Sequence, residues 1–209
     1  MLADTTIAAF LSVCLAIFFA VNAYSWLTVG RSRKSTRLEA EAELPNNLAL
    51  ALAALGTGAF FLQSFLYIVL VAAGVEVAIR NTLMQLTFAL DTWVQQAGLG
   101  VTAFGYALFL WSVLARGKYA TSWEMPSDQR LVTWGPYKYV RHPSYLAYFI
   151  MFAGLFLVLL NLAALVPLAA VPGYVGITKV EDAMLRQRFG EAAVEYQSNT
   201  GRFLPRRRR

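Results

Sequence analysis

Long uncharged apolar segments decide what this chain can fold into. Three of them suit single membrane crossings: Ile7–Val29, Leu48–Ala73 and Leu99–Ala115. A fourth, Tyr145–Ile177, also carries no charge, and it is too long for one crossing of about 20 residues but short for two. Hydrophobic residues make up 58% of the 209-residue chain, more than a domain of this size can shield from water. The pattern predicts an all-α polytopic integral membrane protein with about five transmembrane helices, the last two forming a helical hairpin.

Positive charge is concentrated in three connecting segments, at residues 31–37, 116–141 and 179–209. Of the 18 Lys and Arg residues, only Arg80 lies elsewhere. Because Lys and Arg in short loops mark the cytoplasmic side, we expect the N-terminus outside and the C-terminus in the cytoplasm. The net charge of +6 then marks one side of the membrane and does not indicate a nucleic-acid partner. A single cysteine, Cys14, and a single histidine, His142, exclude disulfide frameworks and zinc clusters, so no metal is predicted.

The chain is expected to divide at residue 116. Residues 1–115 hold three spans, the first an uncleaved anchor because its start is acidic, and an outer interfacial segment at residues 75–94. The charged residues of that segment, Glu76, Arg80 and Asp91, either lie at the interface or face the bundle interior, where charge signals function. Residues 116–209 hold a loop, the hairpin 143–178, a C-terminal helix and a basic tail.

The polar side chains that could carry chemistry lie in residues 116–142 and 179–209, which share the cytoplasmic side on this topology. Pro143 suits the first turn of a helix that begins directly after His142. Helical spacing recurs at Leu185, Phe189, Ala192 and Tyr196, so the last span is expected to continue as a cytoplasmic amphipathic helix. Taken alone, His142 and the doublet Glu181-Asp182 are typical of a membrane interface, and Arg206–Arg209 are typical of a tail that touches anionic lipid.

An ordered set of motifs in residues 130–205 resembles the isoprenylcysteine carboxyl methyltransferase family, which is related to membrane phospholipid N-methyltransferases. The motifs are Leu131-Val132-Thr133, Gly135-Pro136-Tyr137, Arg141-His142-Pro143-Ser144-Tyr145, Glu181-Asp182 and Phe189-Gly190 with Tyr196. The resemblance implies a multi-span enzyme that binds S-adenosyl-L-methionine, and releases S-adenosyl-L-homocysteine, between the cytoplasmic end of the hairpin and the preceding loop. The cofactor contacts that it implies are Gln129, Arg130, Leu131, Val132, Tyr137, His142, Pro143, Ser144, Tyr145 and Glu181.

These residue types suit the groups that the cofactor carries. Tyr137 and Tyr145 offer aromatic faces to its cations or its adenine. His142 and free helix amides suit its carboxylate, and Glu181 suits its ammonium or a ribose hydroxyl. Arg141 and Glu181 are the candidate catalytic residues.

The substrate side departs from the family pattern. An arginine is expected four residues before the first acidic contact, but this chain has Ile177 there. Lys179 or Arg141 is the remaining candidate for a substrate carboxylate, and Trp134 is a second candidate substrate contact unless it belongs to an aromatic belt at the headgroups.

The favoured function is in-line methyl transfer to a lipid-like acceptor that enters from the bilayer. A sulfonium is already activated, so the protein mainly positions the reactants and excludes water. O-methylation is favoured, with N- and S-acceptors left open, and the sequence does not indicate an oligomeric state. The alternatives are an intramembrane sterol-type reductase that uses NADPH and a non-catalytic membrane or transporter subunit.

Overall fold

The chain is built from helices in a computed structural model that describes residues 1–32, 45–75, 84–119 and 129–206. Among these residues, isolated β-bridges join Gln85 to Asn161 and Val140 to Gly201. The α-helices are α1 (Asp4–Ser32), α2 (Asn47–Ala72), α3 (Asp91–Arg116), α4 (Pro143–Leu159), α5 (Ala170–Phe189) and α6 (Glu191–Asn199). Short 3₁₀ segments occupy Gly117–Tyr119, Gly135–Lys138 and Leu162–Ala169.

Within the described ranges, four helical segments are long and apolar enough to cross a membrane. They are Asp4–Leu27 within α1, α2, α3 and the continuous stretch Leu162–Phe189. The apolar helix α4 has 17 residues, which is near the lower limit of the roughly 17–25 residues that a crossing needs. The expected all-α polytopic architecture is therefore confirmed, whereas the number of five crossings stays a prediction.

The third span begins earlier than the sequence indicated. The sequence analysis expected an interfacial segment up to residue 94. Helix α3 starts at Asp91, so residues 91–94 belong to the membrane helix and not to that segment. Asp91 forms an ion pair with the Met1 amino group at 2.9 Å. Gln95 accepts a hydrogen bond from the Leu2 amide and donates one to the Val158 carbonyl. Because these polar groups have partners inside the protein, they can belong to a membrane helix. Glu76 and Arg80 lie outside the described residues.

The hairpin turns at Leu160, the C-cap of α4, whose φ of 48° is left-handed. The Asn161 side chain then accepts a hydrogen bond from the Ala163 amide and caps the 3₁₀ segment. Pro167 lies inside that segment and has no N–H for an α-helical hydrogen bond. The return path starts as a 3₁₀ helix and becomes α-helical at Ala170.

Small residues let the helices approach closely. At Gly98 of α3, an added Cβ would lie 2.8 Å from the Leu157 carbonyl carbon of α4. At Gly173 of α5, it would lie 2.6 Å from the Ala53 amide of α2. Among the described elements, α3 and α4 make the most extensive contact. Close packing of this kind is typical of membrane helices.

The amphipathic continuation of the last span is broken. Helix α5 ends at Phe189, and Gly190 adopts a φ of 54°, a conformation that favours glycine. The chain changes direction there and starts α6. As a result Ala193 is buried while Ala192 is exposed, so the predicted single stripe through residues 185–196 is wrong.

Candidate functional site

A partly open cleft lies where the end of α3, the loop before α4, the second half of α5 and α6 meet. It encloses about 740 Å³ of empty space, including the part that is open to solvent. The residues that line it are Arg116, Tyr119, Gln129, Arg130, Leu131, Val132, Tyr137, Arg141, His142, Ser144, Tyr145, Glu181, Met184, Leu185 and Tyr196. The cleft thus joins the two polar segments that the sequence singled out.

His142 is the N-cap of α4, directly before Pro143 at the first helical position. Its buried ring faces a carboxylate at each nitrogen: Nε2 lies 2.9 Å from Asp182 Oδ1, and Nδ1 lies 3.3 Å from Glu181 Oε2. Burial opposes the charged imidazolium, but the hydrogen bonds with Asp182 and Glu181 outweigh it and raise the pKa of His142 above its usual value. Both nitrogens are engaged, so a cofactor carboxylate would have to compete with Glu181 for this ring.

Glu181 holds the negative charge of the cleft. One carboxylate oxygen accepts a hydrogen bond of 2.6 Å from the Tyr145 hydroxyl, while the other faces His142. The Tyr145 ring stacks on Tyr174 with centroids 4.7 Å apart. The Glu181 side chain is 17% exposed, so it can reach a ligand in the cleft while its neighbours hold its orientation.

Asp182, which the sequence analysis did not select, is the buried partner of this arrangement. Its side chain is 3% exposed, and it is not part of the cleft wall. It accepts hydrogen bonds from Arg141, His142 and Arg202 at 2.9–3.2 Å. Because Glu181 and Asp182 are adjacent in α5, they face different sides of the helix. Glu181 faces the cleft, whereas Asp182 binds the side chains of Arg141, His142 and Arg202 behind it.

Arg141, a candidate catalytic residue, makes contacts that are structural. Its guanidinium donates to both Asp182 oxygens at 3.0 and 3.2 Å, to the Gln197 carbonyl at 3.1 Å and to the Thr200 carbonyl. Its side chain borders the cleft but is 11% exposed. The catalytic role stays a prediction, and the observed role is to join the loop to α5 and the end of α6.

Residues Thr200–Arg206, which we call the C-terminal strap, complete the site. The Gly201 and Arg202 carbonyls accept hydrogen bonds from the Arg141 and His142 amides at 2.9 and 3.1 Å. The Phe203 ring lies 6.2 Å from His142, centroid to centroid. The sequence analysis assigned this segment to a basic tail, and Arg206 instead donates to carbonyls at the end of α6. Arg207–Arg209 lie outside the described residues.

The loop motifs are brought together as expected. All the expected cofactor contacts line the cleft except Pro143, which is buried at the start of α4. Lys179 is exposed, and neither Lys179 nor Trp134 belongs to the cleft wall. The Trp134 indole donates to the Ala115 carbonyl at 2.8 Å, so it closes the end of α3.

The sequence analysis did not select five residues that line the cleft: Arg116, Tyr119, Met184, Leu185 and Tyr196. It named Leu185 and Tyr196 only as part of a helical pattern or a motif. Arg116 ends α3, and the 3₁₀ segment that ends at Tyr119 follows it directly, so their place just before the loop motifs in the sequence was a usable signal. Tyr196 donates its hydroxyl to the Tyr137 carbonyl at 2.7 Å. Burial raises the pKa of the Tyr196 hydroxyl above its usual value, which favours its neutral, donating form.

Comparisons with known proteins agree with the motifs. A model of the phospholipid methyltransferase family matches residues 93–192. A protein-S-isoprenylcysteine O-methyltransferase of Tribolium castaneum is 29% identical over 119 residues, which are 54% of this chain and 42% of that protein. A nickel-cobalt-cadmium resistance protein of Alcaligenes xylosoxydans xylosoxydans is 33% identical over 123 residues, 56% of this chain and 54% of that protein. The chain thus spans about half the length of the curated relatives that it matches.

The fold is that of a solved membrane enzyme. A eukaryotic intramembrane Ras methyltransferase, isoprenylcysteine carboxyl methyltransferase, superposes with a TM-score of 0.58 at 22% sequence identity. The match covers 97% of this chain and 67% of that one. The two proteins therefore share their helical architecture over almost the whole of this chain, including the residues outside the motifs.

Proposed function

We propose that the chain is a member of the isoprenylcysteine carboxyl methyltransferase family and, as such, an integral membrane methyltransferase that uses S-adenosyl-L-methionine. The observation that carries the proposal is the position of Glu181. Its carboxylate lies in the wall of the cleft that loop residues 129–132 also line, and it is held by Tyr145 and His142. A fixed acidic group beside aromatic and cationic side chains is the set that a cationic amino-acid nucleoside requires.

The cleft residues fit each part of that cofactor. Glu181 would bind the ammonium or a ribose hydroxyl, since a carboxylate is an acceptor for both. Tyr137 and Tyr145 would supply ring faces to the sulfonium or the adenine. Arg116 and Arg130 supply positive charge on the cleft wall for a carboxylate. No acidic residue other than Glu181 occurs among the described residues of the wall.

When bound, the cofactor supplies an activated methyl group on sulfur, so this chain's residues need only bind, orient and exclude water. Glu181 and the ring of Tyr145 would orient the donor, and the stack of Tyr145 on Tyr174 would keep water from the bundle side of the cleft. A carboxylate acceptor needs no general base, which agrees with the engagement of His142 by two carboxylates. We therefore place His142 as a positioning residue.

The acceptor that we propose is lipid-like and enters from the bilayer, and O-methylation of a carboxylate is the favoured reaction. The cleft and the C-terminus would face the cytoplasm, with the N-terminus outside, as the distribution of Lys and Arg indicates. Lys179 and Trp134 lie outside the cleft wall, so we do not retain them as substrate contacts.

The decisive experiment is titration calorimetry of the detergent-solubilised protein with S-adenosyl-L-methionine and, separately, NADPH. We expect Glu181→Gln to weaken S-adenosyl-L-methionine binding about 10- to 150-fold, because a charge-assisted hydrogen bond contributes about 1.5–3 kcal/mol. Glu195→Gln, at an exposed position on α6, is the matched control and should bind like the wild type.

Unchanged affinity in the Glu181→Gln variant would reject the role of Glu181. Binding of NADPH in place of S-adenosyl-L-methionine would favour the reductase, and binding of neither would favour a non-catalytic protein. The acceptor can be sought by mass spectrometry of membrane extracts, as a lipid that gains one methyl group with the wild type but not with the Glu181→Gln variant.

A further inference from the structure

A hydrogen bond between two hydroxyls joins α2 to α5 inside the bundle. The Thr57 hydroxyl lies 2.8 Å from the Tyr174 hydroxyl. The two helices come close enough for this bond because the neighbouring residue is Gly173, where an added Cβ would lie 2.6 Å from the Ala53 amide. In the hydrocarbon region a hydroxyl has no water to bind, so each of the two hydroxyls depends on the other. The bond therefore holds the Tyr174 side chain in one direction.

The Tyr174 ring is the surface on which the first turns of α4 pack. The residue is 9% exposed. Its ring centroid lies 4.7 Å from that of Tyr145, 5.6 Å from that of Tyr148 and 6.2 Å from that of Phe149. The Tyr145 and Tyr148 rings are inclined to it by 28° and 9°, so both stack on it. Because stacked aromatic rings prefer defined offset arrangements, the position of Tyr174 constrains the orientation of the Tyr145 ring.

Tyr145 connects that stack to the cleft. Its hydroxyl donates a hydrogen bond of 2.6 Å to Glu181. Tyr174 and Glu181 are seven residues apart in α5, so they share one face of the helix and lie about 10 Å apart along its axis. Neither Tyr174 nor any residue of α2 belongs to the described cleft wall. A series of contacts thus runs from α2, outside the cleft, through Tyr174 and Tyr145 to the carboxylate inside it.

Resting on the proposed function, we propose that Tyr174 is a positioning residue for the methyl donor, held by Thr57 and acting through Tyr145. A hydroxyl that donates to a carboxylate orients it well only when its own ring is held by packing. Without the Tyr174 ring, more orientations are open to Tyr145, and donor binding then has to order both Tyr145 and Glu181. Donor affinity therefore depends on a pair of hydroxyls that lies in the membrane, outside the cleft wall.

The test compares the wild type with three variants of the hydroxyl pair. Tyr174→Leu removes the ring, Tyr174→Phe keeps the ring without its hydroxyl, and Thr57→Val removes the partner of that hydroxyl. Calorimetry in detergent measures the affinity for S-adenosyl-L-methionine, and circular dichroism measures Tm.

The matched control is Phe60→Leu, which also removes a buried aromatic ring from the bundle. Phe60 lies on α2, one turn beyond Thr57, and is fully buried. Its ring contacts lie within the bundle, and none of them is part of the described cleft wall. The control should lower Tm, as large-to-small core substitutions do, and leave donor affinity unchanged.

We expect Tyr174→Leu to weaken donor binding about 3- to 10-fold, which corresponds to the loss of one aromatic pair. Tyr174→Phe and Thr57→Val should each weaken it less and by the same factor. Their double variant should bind no more weakly than either, because all three lack the same hydrogen bond. In a Tyr145→Leu background, Tyr174→Leu should cause no further loss, because the residue through which it acts is gone.

Wild-type donor affinity in the Tyr174→Leu variant overturns the proposal. An equal loss of affinity in Phe60→Leu also overturns it, since the effect would then come from a general loosening of the bundle. Losses that add in the Tyr145→Leu background overturn the route through Tyr145. If Tyr174→Leu does not fold, as judged by thermal unfolding, Thr57→Val decides, and wild-type affinity there overturns the proposal. Failure of the wild type itself to bind S-adenosyl-L-methionine is a separate outcome, which rejects the proposed function and the positioning role together.

Discussion

Replacing Asp182, the buried carboxylate behind the cleft wall, with asparagine should destabilise the protein strongly. Asp182 accepts hydrogen bonds from three cationic side chains, Arg141, His142 and Arg202, and is 3% exposed. The asparagine side chain carries no charge and its amide nitrogen is a donor, so it would face three donors that have lost their carboxylate. Removal of one partner from a buried ion pair costs about 3–5 kcal/mol.

The contacts of Asp182 determine which part of that range applies. Each charge-assisted hydrogen bond contributes about 1.5–3 kcal/mol when considered alone. The bonds are not additive, because they share two oxygens and because the Arg202 side chain is 32% exposed and partly screened by water. We therefore expect a loss of about 3–5 kcal/mol. For a protein of this length, about 2–4 °C of Tm corresponds to each kcal/mol, which gives a decrease of about 6–20 °C.

The measurement is thermal unfolding in detergent, followed by circular dichroism. Glu181→Gln is the matched control, because the Glu181 side chain is 17% exposed and contacts only Tyr145 and His142 among the described residues. It should lower Tm less and ligand affinity more than Asp182→Asn does. A Tm for Asp182→Asn within about 2 °C of the wild type, or an equal decrease for Glu181→Gln, would refute the assignment of Asp182 as the anchor.

Two further predictions concern pH and helix packing. The folded protein raises the pKa of His142, the only histidine in the chain; the resulting stabilisation is complete below the unfolded pKa of about 6.5 and is lost as the pH rises through the folded pKa. Tm should therefore fall above pH 6.5 in the wild type, and His142→Gln should lack this fall; a wild-type Tm that stays constant there would contradict the assignment. Gly98→Ala should cost about 1–3 kcal/mol through overpacking against Leu157, measured as a lower Tm, whereas Gly100→Ala, which meets nothing within 4 Å, should be neutral or slightly stabilising.

The apolar segments predicted the fold because a membrane-spanning helix needs a continuous run of apolar residues, and such runs are visible in the sequence. The ends of the helices were less predictable. The polar residues Asp91 and Gln95 belong to α3 because Met1, Leu2 and Val158 supply their partners, and those residues are distant in sequence. Periodicity also could not show that the chain turns at Gly190, since helical spacing continues across the break.

The loop motifs predicted the cleft wall well, because they are contiguous in sequence and resemble a known family. The family resemblance did not reveal that Glu181 and Asp182 have different roles. Glu181 faces the cleft, whereas Asp182 is buried under Arg141 and Arg202, and only the three-dimensional contacts separate them.

The attachment of the C-terminal strap to Asp182 has a consequence for how the protein opens. Local unfolding usually proceeds in cooperative units whose members share contacts. Since Arg202 and His142 share the Asp182 carboxylate, and the Arg202 carbonyl also accepts a hydrogen bond from the His142 amide, fraying of the strap would remove one of the contacts that hold His142 in place. We therefore expect the strap and residues 141–142 to open as one cooperative unit, so that a molecule bound in the cleft would also slow the exchange of amide hydrogens in the strap.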